Sequence, residues 1–277
     1  MREAGKLVIR DVPVEQYVLA TTLSEVDPPA ADARVLERMF EVQAILARTY
    51  VAANRGRHGR DGFDLCATTH CQIYEPARVG RSRWSAVARE AVARTRGEVL
   101  WFDGAPARAV FHADCGGHTS DAAAVWGGAP LPYLRGRRDD PPGPATHRPW
   151  TFDASVAEVH DALDADSRTS VGPLDRLDVT TRDGAGRAER VTLHGGARSV
   201  TVTGELFRDV LARAFGQKSI RSTLFTVRRS SGMFVFSGRG FGHGVGLCQT
   251  GAFARLQAGA SVDAVLSFYF SGTILAH

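Results

Sequence analysis

Apolar side chains recur at spacings of three and four along residues 32–54, where Leu36, Met39, Phe40, Leu46, Tyr50 and Val51 trace one face of a helix. This segment is predicted to be the central buried helix. Gln43 and Arg48 lie near its apolar face and should each bond to something specific, because an unpaired polar group there is costly. Upstream, residues 6–11 alternate briefly like a strand, and Pro13 opens a helix through Tyr17, Val18 and Leu23 that ends at Glu25. Asp27-Pro28-Pro29 then breaks the chain, since proline disfavours helix at the residue before it and donates no amide. A carboxylate at a helix end beside such a break is placed to face a cleft.

Downstream, a helix is predicted over 85–96, closed by Gly97, and two strands over 98–102 and 107–112 joined by the hairpin dipeptide Asp103-Gly104. That hairpin delivers FHADCGGHTS to its far end. RRDDPPGPATHRP (137–149) reads as a proline-rich surface connection and a boundary. A short helix near 155–164, a meander over 174–203, a helix over 205–215, the strand-like FVFSG, a helix near 250–258 and an amphipathic helix ending at Phe270 complete the pattern. The fold class is α+β: mixed helices and antiparallel strands in two lobes forming a substrate cleft. Residues 1–137 form the first lobe, 138–173 the connection with its short helix, and 174–277 a β-meander lobe whose GRGFGHGVG segment returns to the cleft.

Composition narrows the possibilities. At 277 residues the chain holds one large domain or two lobes, and with 44% hydrophobic and 23% charged residues it is folded throughout. The net charge of +4 comes mostly from scattered arginines, without the clustered stripe or named motif that a nucleic-acid binder usually shows, so no nucleic-acid partner is expected; the balance fits an anionic polymer such as cell wall equally well, and charge alone decides nothing. No apolar run approaches the roughly 18 residues of a membrane span. The start, MREAGKLVIRDVPVEQYV, has no signal-peptide apolar stretch. Four cysteines are too few for a disulfide scaffold, and only Cys66 and Cys71 are close in sequence.

Several motifs invite chemistry. GRGFGHGVG fails the dinucleotide fingerprint in every register, so its glycines mark a tight turn that lets a ligand or strand approach. His58, Cys66, His70 and Cys71 are the right ligand types for a tetrahedral, structural zinc, although their spacing is irregular. A Cys66–Cys71 disulfide or two free thiols are the competing readings. Cys115 beside His112 and His118 could form a nucleophilic dyad, but a small half-buried cysteine in a turn is favoured. There is no GxSxG, HExxH or HxE signature.

Seven stretches occur in an order that resembles the stage II sporulation protein D family, which includes proteins described as amidase enhancers. They are VEQYVLATTLSEV, EVQAILARTYVAAN, GFDLCATTHCQIY, RTRGEVLWFDGAPARAVFHADCGGHTS, VWGGAPLPYL, FVFSGRGFGHGVGLCQTGA and VLSFYFSGT, spanning about residues 6–273 and weakest over 138–200. The resemblance implies a lytic transglycosylase acting on peptidoglycan glycan strands stripped of peptides, in the cell envelope, with any leader lying outside this sequence. It puts the catalytic acid/base on Glu25, in the first lobe. Polar substrate-binding residues fall on Arg48, Tyr50, Gln72, Tyr74, His112, Thr119, Ser120, His243 and Gln249. It also places a structural zinc on His58, Cys66, His70 and Cys71. The enhancer members imply a cell-wall amidase as partner, and with it the competing function of a non-catalytic wall-binding module. Two departures stand out: the loop between Tyr50 and Phe63 is rich in Arg and Gly, and Phe241 occupies a site where tryptophan is often found.

A single carboxyl suffices for this chemistry. Ordinary glycosidases need two, one to protonate the leaving oxygen and one to attack or activate water. Here the sugar's own C6 hydroxyl attacks its anomeric carbon, so Glu25 acts first as acid and then as base, and its pKa is expected to be raised by desolvation.

Overall fold

The computed structural model describes the chain except residues 1, 4, 5, 142–146, 148 and 197, with backbone alone at 2, 3 and 6. The fold is α+β, and the chain divides into two compact units, residues 1–110 with 252–277 and residues 111–251. The first is assembled from both ends of the chain.

The first unit opens with a two-residue antiparallel pair, β1 (Arg2–Glu3) and β2 (Lys6–Leu7). Pro13 precedes α1 (Val14–Glu25), whose last residue is the predicted acid. α2 (Ala33–Ala53) starts where the Asp32 carboxylate accepts from the Arg34 N–H at 2.8 Å, a side-chain cap. As its periodicity requires, α2 is the buried centre: Met39, Phe40, Ile45 and Leu46 are at most 1% exposed. Burying each such side chain contributes about 1.5–3 kcal/mol. α3 (Arg78–Arg81) and α4 (Ser85–Arg94) follow, and α4 packs on α2. β3 (Val99–Phe102) turns through Asp103 (φ 50°) and Gly104 (φ 75°) into β4 (Ala105–Pro106). The hairpin forms, but its second strand is Ala105–Pro106; of the span expected over 107–112 only Phe111–His112 is strand, and it pairs elsewhere. Pro106 has no N–H to continue the ladder, and only Ala107 adds one more bond, to the Leu100 carbonyl at 2.8 Å.

The second unit begins with β5 (Phe111–His112) and α5 (Ala122–Trp126). β6 (Pro149–Ser155) leads into α6 (Val156–Asp164) through a Ser155/Glu158 capping box. The predicted meander is present as β7 (Leu174–Arg182), β8 (Ala188–Gly195) and β9 (Ser199–Thr203), all antiparallel, followed by α7 (Gly204–Phe215). β10 (Phe225–Ser230) and β11 (Met233–Arg239) then form a sheet with β6 in the order β10-β11-β6. β6 and β10 escaped the sequence pattern, the first because it follows a run of prolines and the second because its arginines mask its alternation. The proline-rich stretch read as a boundary lies partly outside the described residues, and it falls within the second unit. Phe207, Phe225, Phe234 and Phe236 fill the core beneath both sheets.

β12 (Leu247–Cys248) pairs with β5 in parallel, the single parallel strand pair among the described residues. α8 (Gln249–Gln257) begins in the second unit and ends in the first, which α9 (Val262–Tyr269) and β13 (Ile274–Ala276) complete. α9 packs on α2, and β13 adds an antiparallel strand to β3 that the sequence pattern did not reveal.

Candidate functional site

Tyr17, Thr21, Ser24 and Glu25 share one face of α1, and the segment 72–75 lies along it as a strap. Tyr17 donates from its hydroxyl to Oε1 of Gln72 at 3.3 Å and stacks on Tyr74 with centroids 5.2 Å apart. Glu75 N–H donates to Ser24 Oγ at 3.1 Å, and Ile73 N–H donates to Oε1 of Glu25 at 2.5 Å. Glu25 is half-buried. Burial penalises its anion more than the Ile73 bond favours it, and its pKa rises from 4.5 to about 7. A groove of about 950 Å³ is lined by Val14, Tyr17, Val51, Phe63, Leu65 and Tyr74; Glu25 is not on its wall.

Arg48 is buried, and its guanidinium is clamped by both carboxylate oxygens of Glu15 at 2.9 and 2.8 Å and by the Glu98 carbonyl at 3.2 Å. The specific partner expected for Arg48 is therefore internal, and Glu15 is a residue that sequence reasoning missed. Tyr50 is buried, with its phenol pushed up to about 12 by burial and by the neighbouring Cys71 thiol.

His58, Cys66, His70 and Cys71 converge, with one ligand atom from each within 4.8 Å of the others. Cys71 Sγ lies 3.4 Å from His58 Nε2 and 3.7 Å from His70 Nδ1, and Cys66 Sγ lies 3.7 Å from the same nitrogen. These separations suit a tetrahedral ion with metal–ligand bonds of about 2.0–2.3 Å. Burial opposes ionisation of Cys66, but hydrogen bonds with Thr68, Cys71 and His70 bring its thiol down to about 6, toward the thiolate a metal needs. The four residues could hold a metal, and the long Arg- and Gly-rich loop does bring His58 to the other three.

In the second unit four glycines, Gly240, Gly242, Gly244 and Gly246, alternate along GRGFGHGVG with φ between +70° and +104°, so the segment coils instead of extending. A Cβ on Gly242 would sit 2.8 Å from His112 Cβ, and one on Gly244 would sit 2.3 Å from Nε of the buried Arg187. Arg187 in turn donates to the carbonyls of Gly242 at 3.3 Å and Cys115 at 2.7 Å. The coil brings His243 against His112, ring centroids 5.4 Å apart. Val245 N–H donates to His243 Nδ1 at 3.0 Å, so His243 Nε2 carries the proton and donates to Phe111 O at 3.0 Å. His112 Nδ1 donates to Val245 O at 3.1 Å. Burial first, and then nearby positive charge, lowers His243 to about 3; burial and His243 lower His112 well below its ordinary value. Both rings are neutral fixtures, and both nitrogens of His243 are spent on backbone groups, Nδ1 within the loop and Nε2 on β5.

Ser120 N–H donates to Gly244 O at 2.7 Å, while Thr119 Oγ1 exchanges bonds with the backbone of Arg137 at 3.3 and 3.0 Å. Gln249 is half-buried at the start of α8. His112, Ser120 and His243 are thus gathered; Thr119 faces Arg137. Two features were not legible in the sequence. Cys115, at its turn, is fully instead of half buried and lies beside Cys248, and Trp126, 42% exposed, stands 4.9 Å from His243.

Residues 2–102 match the family described as Stage II sporulation protein (SpoIID), and residues 140–246 match a family described as a domain of unknown function. Over that first stretch, and along most of its length to individual relatives, the chain is similar to stage II sporulation protein D. It is 29% identical over 272 residues to an uncharacterized protein of Brachyspira hyodysenteriae, covering 96% of this chain and 67% of that protein. It is 26% identical over 278 residues to the stage II sporulation protein D of Bacillus subtilis, covering 96% of this chain and 75% of that one. The amidase enhancer of Bacillus subtilis is also 26% identical, over 277 residues and 85% of this chain, which spans 37% of the enhancer's length.

Proposed function

We propose that the chain is a peptidoglycan lytic transglycosylase that cleaves the MurNAc–GlcNAc bond of denuded glycan strands and leaves 1,6-anhydro-MurNAc ends. The family match over residues 2–102 and the similarity to a stage II sporulation protein D and an amidase enhancer support a role at the cell wall, and peptidoglycan puts that role outside the cytoplasm. The observation that carries the reading is Glu25: a half-buried helix-end carboxyl whose pKa near 7 keeps a proton available at neutral pH. Ile73 N–H holds Oε1 as an acceptor, so the acidic proton belongs on Oε2. Oε2 gives that proton to the glycosidic oxygen as the bond breaks, and the carboxylate then takes the proton of the C6 hydroxyl that closes the anhydro ring. No second carboxyl is required.

The remaining groups hold and shape. The Tyr17/Tyr74 stack and Gln72 fix the strap on which Glu25 is seated. The exposed ring of Trp126 offers an apolar face to a sugar. Zinc at His58, Cys66, His70 and Cys71, when bound, supplies a cross-link and no open coordination position.

The test is mass spectrometry of products from purified protein and denuded glycan. Wild type yields anhydro-ended sugars, and Glu25→Gln binds glycan but cuts on the order of 100- to 10,000-fold more slowly. Unchanged turnover in that variant defeats the reading. The name of the enhancer relative favours a second function, a wall-binding module that stimulates an amidase; amidase stimulation without any anhydro product would establish it instead.

A further inference from the structure

Two sulfurs 133 residues apart in sequence meet in the interior of the second unit. The turn after β5 brings Cys115, and β12 brings Cys248, whose backbone lies level with His112 in the parallel pair. Both cysteines are 0% exposed and both are free thiols. The two sulfurs and a ring nitrogen of His112 lie within 4.8 Å of one another. Cys115 N–H donates to Cys248 Sγ at 3.2 Å. With ordinary bond lengths, that contact keeps the two Cα atoms within about 7.5 Å, against a usual disulfide range of roughly 4.4–6.8 Å.

The backbone aims both sulfurs. Gly251 N–H donates to Cys248 Sγ at 3.3 Å, and Gly117 N–H donates to Cys115 Sγ at 3.3 Å. The Cys115 thiol donates to Oδ2 of the fully buried Asp139 at 3.4 Å. We propose that Cys115 and Cys248 close into a disulfide that ties the CGG turn to the start of α8. Each thiol gives up its hydrogen and the S–S bond forms. A disulfide oxidant such as oxidised glutathione takes up the two electrons and two protons and leaves as two thiols.

A shared metal ion is the competing occupant, and the ligand count argues against it. His112, Cys115 and Cys248 offer three ligand atoms, one fewer than a closed tetrahedral site needs, and all three residues are buried away from solvent that could supply the fourth. The bond would join the segment carrying His112, Thr119 and Ser120 to the one carrying Gln249 and so brace the two covalently. Because no solvent reaches either sulfur, the bond forms as the chain folds and resists reductant until the unit opens. The inference rests on the envelope placement above only for where the cellular oxidant is met.

The full chain, refolded in a glutathione redox buffer, is unfolded in denaturant with a chelator, alkylated and digested for peptide mapping. A Cys115-to-Cys248 linked peptide is expected, with both residues protected from alkylation. Refolding under reductant should lower Tm by roughly 10 °C, the shift appropriate to a long closed loop. Cys115→Ala and Cys248→Ala should each abolish the reductant-dependent shift. Full alkylation of both cysteines in the oxidised sample overturns the proposal, and that mapping decides the matter on wild type even if a variant fails to fold. Two bound zinc ions per chain, falling to one in Cys248→Ala, would overturn it in favour of a metal. Glycan cleavage is read separately, so failure here leaves the transglycosylase reading standing.

Discussion

The same physical effect does opposite work in the two units. In the first, burial disfavours the anion of Glu25 and carries a carboxyl from the acid range up to about 7, where it exchanges protons at neutral pH. In the second, burial disfavours the cations of His112 and His243 and carries two imidazoles out of that range. One unit gains a carboxyl that titrates near neutrality, and the other gains neutral hydrogen-bonding imidazoles. The cysteines divide likewise: Cys66, held by hydrogen bonds in a half-exposed loop, comes down to about 6, and the enclosed Cys115 goes up. Residue type alone does not say which groups react; the balance of desolvation against local donors does.

If the first unit reacts and the second holds, substitutions should separate along that line. The largest effect is the loss of about two to four orders of magnitude in turnover in Glu25→Gln with glycan binding kept, read by product mass spectrometry. Next is chelation. If zinc pins the His58/Cys66/His70/Cys71 loop, a strong chelator should lower Tm by roughly 10 °C or more in a thermal scan, and loss of activity without a change in Tm would make the metal catalytic instead. Arg48→Ala should cost about 2 kcal/mol in denaturant unfolding, because it removes two charged hydrogen bonds from a half-buried Glu15; a variant that keeps full stability but loses glycan binding would move Arg48 into the substrate site.

Smaller and more diagnostic is pH. Glu25 must be protonated to act as acid, so kcat/KM should fall about tenfold per unit above pH 7 while the imidazoles add no limb there. The same raised pKa makes the contribution of Glu25 to stability full below about 4.5 and lost as pH rises through about 7. The smallest effect is Trp126→Ala, which should weaken glycan binding roughly tenfold, measured by titration calorimetry, and leave Tm and the pH profile alone. A change in turnover at saturating glycan would show that the second unit does more than hold.

Proline signals at both ends made α1 legible, apolar spacing revealed α2 and turn dipeptides with alternation revealed the β7–β9 meander, although α1 and α2 prove to be buried all round over Val18–Leu23 and Met39–Tyr50. Periodicity could not show β6, β10 or β13, whose alternation is interrupted by proline, by arginine or by sheer brevity. Among the site residues, the four zinc-type ligands were readable because they lie in one loop, and the resemblance singled out Glu25. Glu15 as the partner of Arg48, Trp126 beside His243, and Cys115 against Cys248 were invisible, because each pairing joins residues 33 or more positions apart.

By itself the sequence determined which segments are helical, where the chain must turn, and which side chains are capable of acid, ligand or thiol chemistry, because those properties are local to a few residues. Only the tertiary structure decided which of those side chains lose water and which donors they meet, as when Ile73 and a half-buried helix end set the proton affinity of Glu25. Desolvation is a property of everything packed around a group, and no short stretch of chain contains it.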